Sequence, residues 1–444
     1  MKLFKRILLL VLVILIVTAY FQYPKLNIIS GYASKTMAST LFITDRSAES
    51  VTLNDNNTPL IKLADAEVDV EENQATASVF GLMERRSVCN EGLGCFLVNE
   101  KYDPNVIIPA PHRTVLKNDL PFPYGNNGIK DTTFANVDYQ RLDKAVEDAF
   151  GNPDSQKTRT VLVTYKNQII AERYIQGFNK DTPILGWSMT KSVLATLYGI
   201  LQYQGKIDLD EPAPVPEWQS DERRNITLNH LLRMQSGLAW DEDYSSISDV
   251  TKMLFLDANM AKAQADNEAI APPGHVWNYS SGTTNLLSGI LRDQFNTHHE
   301  YIDFPYVALI DKIGMHSMLM ETDMAGNFVG SSYAWATTRD WAKFGLLYLN
   351  GGRWNGEQLF AAEWIDYVRK PTNDSEGDYG AHFWLNAGEK YPDVPKDMYS
   401  ANGYQGQRVF IIPSKDLVVV RTGLAEEPEF DINSFLGGIV ASIQ

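Results

Sequence analysis

A serine and a lysine three residues apart, at the start of an apolar segment, constrain this chain more than any other feature. Residues 186–191 read Gly-Trp-Ser-Met-Thr-Lys, and apolar residues recur every three or four positions from 193 to 201. This period predicts a helix over residues 192–201. Ser188 then lies in or beside its first turn, with Lys191 on the same face. No other serine of the sequence has a lysine three positions later.

The Ser-x-x-Lys spacing suits nucleophilic catalysis. A serine hydroxyl attacks a carbonyl only when a base takes its proton, and a buried lysine that has become neutral can be that base. The N-terminus of the helix adds N–H groups and partial positive charge, which stabilise an oxyanion. The same residues are also compatible with a helix cap followed by an exposed lysine, so the function depends on partners elsewhere in the chain.

Two downstream segments supply candidate partners. Tyr279 follows Pro-Pro-Gly at residues 272–274 and precedes a helix predicted over residues 284–295. A lysine ammonium beside its phenol favours the phenolate, so Tyr279 and Lys191 can share the proton transfers. Residues 402–407, Asn-Gly-Tyr-Gln-Gly-Gln, precede a predicted strand, and their glycines allow a ligand to approach the backbone closely. A structural tyrosine and an ordinary glycine turn are the alternatives.

The N-terminus predicts export. Three basic residues precede an unbroken apolar run at residues 7–17, as in a secretory signal. We therefore predict a signal peptide or signal anchor over residues 1–24. Cleavage after Val-Thr-Ala at residues 17–19 gives a soluble protein, whereas an uncleaved, membrane-targeting helix over residues 3–21 tethers the chain to the inner membrane. Both outcomes place the remainder outside the cytoplasm, in the periplasm.

The two cysteines of the chain, Cys89 and Cys95, fit that location. The loop between them contains two glycines and closes easily, and an oxidising compartment favours a disulfide. Two free thiols are the alternative and fit a cytoplasmic protein. The formal net charge of −16 argues against a nucleic-acid partner, which requires basic patches.

The predicted elements place an N-terminal extension at residues 25–128 and a larger domain at 129–444, separated by a Pro- and Gly-rich linker at 121–128. Two β-hairpins lie near the two ends of the larger domain, with a mainly helical or looped region between them. This order predicts an α+β fold, an antiparallel sheet flanked by helices. The predicted elements are a helix at 139–150, strands at 160–165, 168–174, 409–412 and 417–421, and a helix at 435–443.

The order of these features resembles the serine β-lactamase and penicillin-binding-protein superfamily, in which Ser-x-x-Lys is the first signature. The Tyr-Ser-Ser sequence at 279–281 is similar to the branch that contains class C β-lactamases, D-aminopeptidases, family VIII-type esterases and 6-aminohexanoate-dimer hydrolase. The resemblance covers residues 130–444 and extends to segments 205–212, 226–238 and 336–349. It implies a β-lactamase-like fold and hydrolysis of an amide or ester through an acyl-enzyme.

The resemblance also implies a role for each matching residue. Ser188 is then the nucleophile, Lys191 its proton acceptor and Tyr279 the second acid/base. The N–H groups of Ser188 and Gln407 bind the oxyanion. The other implied substrate-binding residues are Gly406, Ser281, Tyr404 and, in a segment that resembles a flap loop, Tyr244.

Two departures from the family pattern bear on the substrate. Ser281 stands where the family has asparagine in Tyr-x-Asn, and Tyr404 stands where the lysine of Lys-Thr-Gly is expected. Groups that contact a β-lactam are therefore missing, which favours an esterase or a linear-amide hydrolase over a β-lactamase or a D-amino-acid peptidase. The similar triad Arg421-Thr422-Gly423 ends a strand instead of beginning one, and we interpret it as unrelated.

Three other functions remain open. An α/β-hydrolase would use His382 as its base, but residues 186–190 lack the last glycine of the Gly-x-Ser-x-Gly elbow. A metallohydrolase would need the histidines at 298–299, which lack the His-Glu-x-x-His spacing. An envelope scaffold of the same fold would need no chemistry. We predict a serine hydrolase that uses no metal and no organic cofactor and acts on a small amide or ester.

Overall fold

The structure is a computed structural model that describes residues 2–115, 120–125, 128–130 and 132–444, except for the side chains of residues 2–3, 14–16 and 18–21. The chain forms two compact units. The first consists of residues 1–107, 241–259 and 323–325, and the second of residues 108–240, 260–322 and 326–444. Part of the predicted linker, residues 126–127, lies outside the described residues, and the predicted domain division near residue 128 stays a prediction.

In the described ranges more residues lie in α-helices than in strands, and many of the strands are short. The helices are α1 Lys2–Thr44, α2 Ala48–Leu53, α3 Tyr139–Asp148, α4 Pro153–Gln156, α5 Met189–Tyr203, α6 Leu228–Leu232, α7 Asp249–Leu256, α8 Ser281–Arg292, α9 His298–Pro305, α10 Thr338–Leu349, α11 Glu363–Arg369 and α12 Ile432–Ala441. The strands are β1 Ala64–Asp69, β2 Gln74–Val79, β3 Leu82–Asn90, β4 Gly94–Val98, β5 Thr158–Tyr165, β6 Gln168–Tyr174, β7 Ile184–Leu185, β8 Leu319–Met320, β9 Ala334–Ala336, β10 Arg353–Trp354, β11 Glu357–Gln358, β12 Trp384–Leu385, β13 Tyr399–Gly403, β14 Gln407–Ile412 and β15 Leu417–Gly423.

The first unit is an antiparallel sheet, in the order β1–β2–β3–β4, with α1 packed on it. The hydroxyl of Ser34 on α1 donates to the carbonyl of Ala75 on β2 and lies 2.9 Å from the hydroxyl of Ser87 on β3. Cys89 and Cys95 form a disulfide between β3 and β4. Helix α1 therefore continues well beyond the apolar run, because the sheet covers its second half.

The N-terminal segment is helical, but the expected membrane helix is not supported. Among the residues that the structure describes, no helix has both the length and the apolar character that crossing a membrane requires.

Helix α7 also belongs to the first unit, although it is encoded in the middle of the chain. Its apolar side chains Val250, Met253, Leu254 and Phe255 are buried. The ring of Phe255 lies 5.5 Å from that of Tyr32 on α1, centroid to centroid. A Cβ added to Gly31 would lie 3.2 Å from the Cβ of Phe255, so the two helices are in close contact.

The second unit is built on an antiparallel sheet in the order β12–β13–β14–β15–β5–β6. Both predicted hairpins are present, as β5–β6 and β14–β15, and β15 joins them by pairing with β5. Helices α3 and α12 pack on one face through a core that includes Leu142, Val146, Val163, Val419 and Leu436. Helix α10 packs against β14 and β15. These observations confirm the predicted α+β fold of antiparallel sheets and helices.

Helix α5 crosses the interior of the second unit. Every residue from Met189 to Leu201 is buried, so this helix is enclosed on all sides, whereas its sequence period predicts one apolar face. Strand β7 leads into it and pairs with β9. The added Cβ of Gly186 would lie 2.3 Å from the ring of Trp341. The segment that carries Ser188 is therefore held between β9 and α10.

Candidate active site

Ser188 is presented by a tight turn between β7 and α5. It is the N-cap residue of α5 and is only partly exposed. The preceding residue, Trp187, has φ of +47°, an uncommon value for a residue with a side chain. The hydroxyl of Thr190 fixes this turn, since it donates to the carbonyl of Trp187 at 2.7 Å and accepts from the amide of Ala334 at 3.0 Å. The first three amides of α5 donate to the carbonyl oxygens of residues 186–188.

Lys191 lies beside Ser188 and is 2% exposed. Its Nζ atom is 2.9 Å from Ser188 Oγ, 2.9 Å from Ser281 Oγ and 3.0 Å from the carbonyl oxygen of Ser331. A neutral amine has two N–H groups and one lone pair. It can therefore donate to Ser281 and Ser331 while its lone pair accepts the proton of Ser188, which is the geometry of a general base.

Tyr279 completes this cluster from the loop before α8. Lys191 Nζ lies 4.9 Å from the centroid of its ring. The rings of Trp384 and Tyr379 lie 5.4 Å and 5.7 Å from that of Tyr279. Ser281 is the first residue of α8 and is fully buried. The structure thus brings together Ser188, Lys191, Tyr279 and Ser281, which the sequence separates by up to 93 positions.

The end of β13 lies against the turn that precedes α5. A Cβ added to Gly403 would lie 2.0 Å from the carbonyl oxygen of Gly186, so the two backbones touch where α5 begins. The next residue, Tyr404, places its ring 5.5 Å from that of Trp187. The backbone that faces the Ser188 turn is therefore that of Gly403 and Tyr404. The sequence singles out segment 402–407 and its two glycines, but it does not name Gly403 among the binding residues.

Gly406 and Gln407 have other contacts. The amide of Gly406 donates to Glu426 Oε1 at 3.3 Å. The side chain of Gln407 donates to the carbonyl of Gly423 and accepts from its amide. Gln407 pairs with Gly403 across the β13–β14 ladder. These contacts indicate that Gly406 and Gln407 hold the 403–407 turn in place and do not bind an oxyanion directly.

Arg421 also supports this turn. It is 1% exposed and donates to the carbonyl oxygens of Gly406 and Ala425 at 3.0 Å and 2.8 Å. Burial lowers the pKa of its guanidinium to about 9. The triad Arg421-Thr422-Gly423 ends β15, as the sequence predicts, and its arginine holds the turn at Gly406.

His382 cannot serve as the base of an α/β-hydrolase here, because both of its ring nitrogens are engaged. Nδ1 lies 2.6 Å from the carbonyl of Leu232 and Nε2 lies 3.0 Å from Thr284 Oγ1. The pKa of His382 is lowered to about 3, mainly because the ring is completely buried; the hydrogen bond to Leu232 opposes this decrease and the nearby Lys191 adds to it. His382 is therefore a neutral structural residue between α6 and α8.

Two further residues remain to be placed: Glu300, which follows the histidines at 298–299, and Tyr244 of the segment that resembles a flap loop. Glu300 accepts from the amide of Thr297 at 3.0 Å, so it caps α9. Tyr244 lies in the first unit, where its hydroxyl is 3.5 Å from Glu242 Oε1. Its predicted position over the substrate stays a prediction.

Comparisons with known proteins agree with this fold. The β-lactamase family model matches residues 150–430. The 6-aminohexanoate-dimer hydrolase of Paenarthrobacter ureafaciens is 24% identical over 315 residues, which are 65% of this chain and 76% of that protein. A family VIII carboxylesterase structure matches with a TM-score of 0.55 and 16% identity, over 71% of this chain and 98% of its own. The penicillin-binding protein of Bacillus halodurans matches with a TM-score of 0.51 and 19% identity, over 67% of this chain and 99% of its own. These two structures share the fold of this chain.

Proposed function

The chain belongs to the β-lactamase family of serine hydrolases, and we propose that it cleaves an amide or ester bond through an acyl-enzyme on Ser188. The observation that supports this most strongly is the contact of 2.9 Å between Lys191 Nζ and Ser188 Oγ. Lys191 is buried, and its amine can donate to Ser281 Oγ and to the carbonyl of Ser331 while it takes the hydroxyl proton.

Acylation begins when Lys191 takes the proton of Ser188 and Oγ attacks the substrate carbonyl. The carbonyl oxygen becomes negative and is bound by the amide of Ser188 at the start of α5. We propose the amide of Tyr404 as the second donor, because Gly403 brings this backbone against Gly186. Preorganised donors of this kind typically contribute about 10²–10³ in rate.

Tyr279 has the second acid/base role in this proposal. Its ring lies beside Lys191 Nζ. Once Lys191 has taken the Ser188 proton, the ammonium favours loss of the Tyr279 proton. Protonated Tyr279 gives its proton to the leaving amine or alcohol, and the C–N or C–O bond breaks. In deacylation the Tyr279 phenolate takes a proton from water and the hydroxide attacks the acyl-enzyme carbonyl. The bond between this carbonyl carbon and Ser188 Oγ then breaks, and Oγ takes back the proton that Lys191 holds.

We propose a linear amide or ester as the substrate. The wall around Tyr279 is aromatic, formed by Trp384, Tyr379 and Trp277. The serine at position 281 and the tyrosine at 404 replace groups that would contact a β-lactam. The relative from Paenarthrobacter ureafaciens is named for a linear amide dimer, and this name supports the same class of substrate.

An extracytoplasmic location is part of the proposal, and it rests on the disulfide between Cys89 and Cys95. Such bonds persist in oxidising compartments and are rare in the cytosol. Thiol alkylation of the protein as it is isolated from its natural host would detect two free cysteines if this location were wrong.

The test is intact-protein mass spectrometry of the full chain after incubation with a p-nitrophenyl acetate, a linear amide dimer or a cephalosporin. The Ser188→Ala variant removes the proposed nucleophile, and Ser220→Ala, at an exposed serine, is the matched control. We expect an adduct or turnover with the ester or the amide in wild type and in Ser220→Ala, and none in Ser188→Ala.

Two results would contradict the proposal. Equal turnover by wild type and Ser188→Ala would exclude Ser188 as the nucleophile. Failure of a fluorophosphonate to label Ser188 in the folded protein, together with no turnover of any compound, would favour a non-catalytic scaffold.

A further inference from the structure

Two histidines and an aspartate of the second unit converge on one point of its surface. His299 and Asp303 lie on α9, four residues apart, and His112 comes from the extended segment 111–115. His112 Nδ1 lies 2.8 Å from Asp303 Oδ2 and 2.7 Å from His299 Nε2. The third side of the triangle, His299 Nε2 to Asp303 Oδ2, is 3.4 Å. No step of the proposed hydrolysis uses these residues.

Hydrogen bonds alone satisfy this triangle poorly. A ring nitrogen carries at most one proton, and His112 Nδ1 has two short contacts. When His112 Nδ1 donates its one proton to Asp303, it has no proton left for the contact with His299 Nε2. When His299 donates to Nδ1 instead, the one lone pair of Nδ1 accepts that proton, and Nδ1 has no proton for the carboxylate oxygen 2.8 Å away.

We propose that His112, His299 and Asp303 bind a divalent transition-metal ion, of which Zn²⁺ is the best match. Zinc is held by imidazole nitrogen at about 2.0–2.1 Å and by carboxylate oxygen at about 2.0–2.2 Å. An ion at such distances from all three atoms lies roughly 1 Å outside their plane. The separation of 3.4 Å is that of two ligands in tetrahedral zinc. The separations of 2.7 and 2.8 Å are shorter, so His112 must move outward by about half an ångström when the ion binds.

The surroundings hold these ligands in place. The second carboxylate oxygen of Asp303 accepts from the backbone amide of His112 at 2.7 Å, the type of outer contact that orients metal ligands. Next to it, Arg113 donates to Asp311 at 2.9 Å and to the carbonyl of Met318 at 3.0 Å. Thr114 donates its amide to Asp311 at 2.6 Å. The segment that carries His112 is therefore fixed, and the positive charge of Arg113 is paired.

The site is open on one side. The His112 side chain is 75% exposed, that of His299 35% and that of Asp303 20%. Water can therefore reach the ion and complete its coordination. Two neutral imidazoles and one carboxylate form a mixed N/O set, which suits Zn²⁺ better than the all-oxygen cations Mg²⁺ and Ca²⁺. A bound ion would tie segment 111–115 to α9, which is a structural role and not a catalytic one.

The test is a Zn²⁺ titration of the full chain after removal of metal with EDTA and dialysis, followed by competition with a chromophoric chelator. We compare wild type with His112→Ala, His299→Ala and Asp303→Asn. The control is His275→Ala, which removes an exposed histidine outside the triangle. His112 is the most exposed ligand, so its truncation is not expected to disturb folding, and Asp303→Asn keeps the shape of the side chain.

We expect one tightly bound Zn²⁺ in wild type and in His275→Ala. Affinity falls by more than about 10-fold in each triangle variant, since loss of a second-shell partner alone costs roughly 10–100-fold. Zn²⁺ raises the unfolding midpoint of wild type but not of the triangle variants. The proposal is overturned if wild type takes up no Zn²⁺ at micromolar concentration, or if His112→Ala and Asp303→Asn, folded as wild type, bind it equally tightly.

Discussion

At the scale of single residues, the chemistry depends on what surrounds Lys191. A lysine buried among apolar groups must have its N–H groups satisfied, or burial costs several kcal/mol. Ser281 and Ser331 provide the acceptors, one through its side chain and the other through its main chain. This difference allows the two contacts to be separated by experiment.

We expect Ser281→Ala to lower kcat by about 10-fold or more, with little change in KM. The substitution removes one acceptor of Lys191 and leaves its Nζ free to turn away from Ser188, and general-base catalysis typically contributes roughly 10²–10⁴. Ser331→Ala is the matched control, because it keeps the carbonyl that Lys191 contacts. Steady-state kinetics and the unfolding midpoint would be measured together. Equal kcat in both variants would show that Ser281 does not position the base.

His382 makes a pH-dependent contribution to stability. Its pKa falls from about 6.5 in the unfolded chain to about 3 in the folded protein. As the pH falls below 6.5, protons bind the unfolded state and not the folded one, so stability present above pH 6.5 is lost progressively toward pH 3.

We therefore expect the free energy of unfolding to fall more steeply with decreasing pH in wild type than in His382→Asn, by about 1.4 kcal/mol per pH unit between pH 6 and 4. Asparagine suits the backbone here, because φ at residue 382 is +59°. Urea unfolding at several pH values measures both slopes. Parallel slopes would mean that His382 takes up a proton in the folded protein.

At the scale of elements, the close approach of β13 to the start of α5 shapes the site. The added Cβ of Gly403 would lie 2.0 Å from the oxygen of Gly186 and 3.2 Å from the Cβ of Gln407. Neither neighbour can give way easily, since one is backbone and the other belongs to the adjacent strand.

We expect Gly403→Ala to lower kcat/KM by about 100-fold, because the strand must move by more than an ångström and the proposed Tyr404 donor moves with it. The matched control is Gly151→Ala, whose added Cβ has Asp148 O as its nearest atom, at 3.3 Å. Hydrolysis of an active ester and the rate of fluorophosphonate labelling report the effect. Wild-type rates in Gly403→Ala would place the oxyanion donors elsewhere.

The sequence could predict the features that depend on neighbouring residues, but not those that depend on residues far apart in the chain. The helix at Ser188 and both hairpins depend on neighbouring residues, and they were predicted within a few positions. The pairing of β15 with β5 joins residues about 250 positions apart, and no local pattern encodes it. The contact of Gly403 with Gly186 depends on that sheet, so the sequence predicts a binding role for Tyr404, Gly406 and Gln407 without naming Gly403. Helix α1 was missed beyond its apolar run because a distant sheet covers it.

At the scale of the whole molecule, the residues that match the family model do not all belong to one compact unit. The family model spans residues 150–430, yet residues 241–259 within it belong to the first unit. Helix α7 has its apolar side against α1, with Phe255 next to Gly31 and Tyr32. Residues 1–107 are therefore needed to bury a segment of the hydrolase sequence.

A chain that begins at residue 108 should consequently be unstable. Truncation uncovers α7, whose four buried side chains, Val250, Met253, Leu254 and Phe255, contribute roughly 1.5–3 kcal/mol each when fully buried. Even half of that sum is comparable with the net stability of a typical domain, about 5–15 kcal/mol. We expect the truncated chain to aggregate, or to unfold at least about 10 °C below the full chain.

The decisive comparison adds a second truncated chain in which Met253 and Phe255 are replaced by serine. If exposure of α7 causes the defect, this chain is more soluble than the first truncation, because the uncovered surface is no longer apolar. The same double substitution in the full chain is destabilising, since there the two side chains are buried. Opposite effects of one substitution in the two backgrounds would establish that residues 1–107 cover α7. A truncated chain that is monomeric, active and as stable as the full chain would show that the hydrolase folds without them.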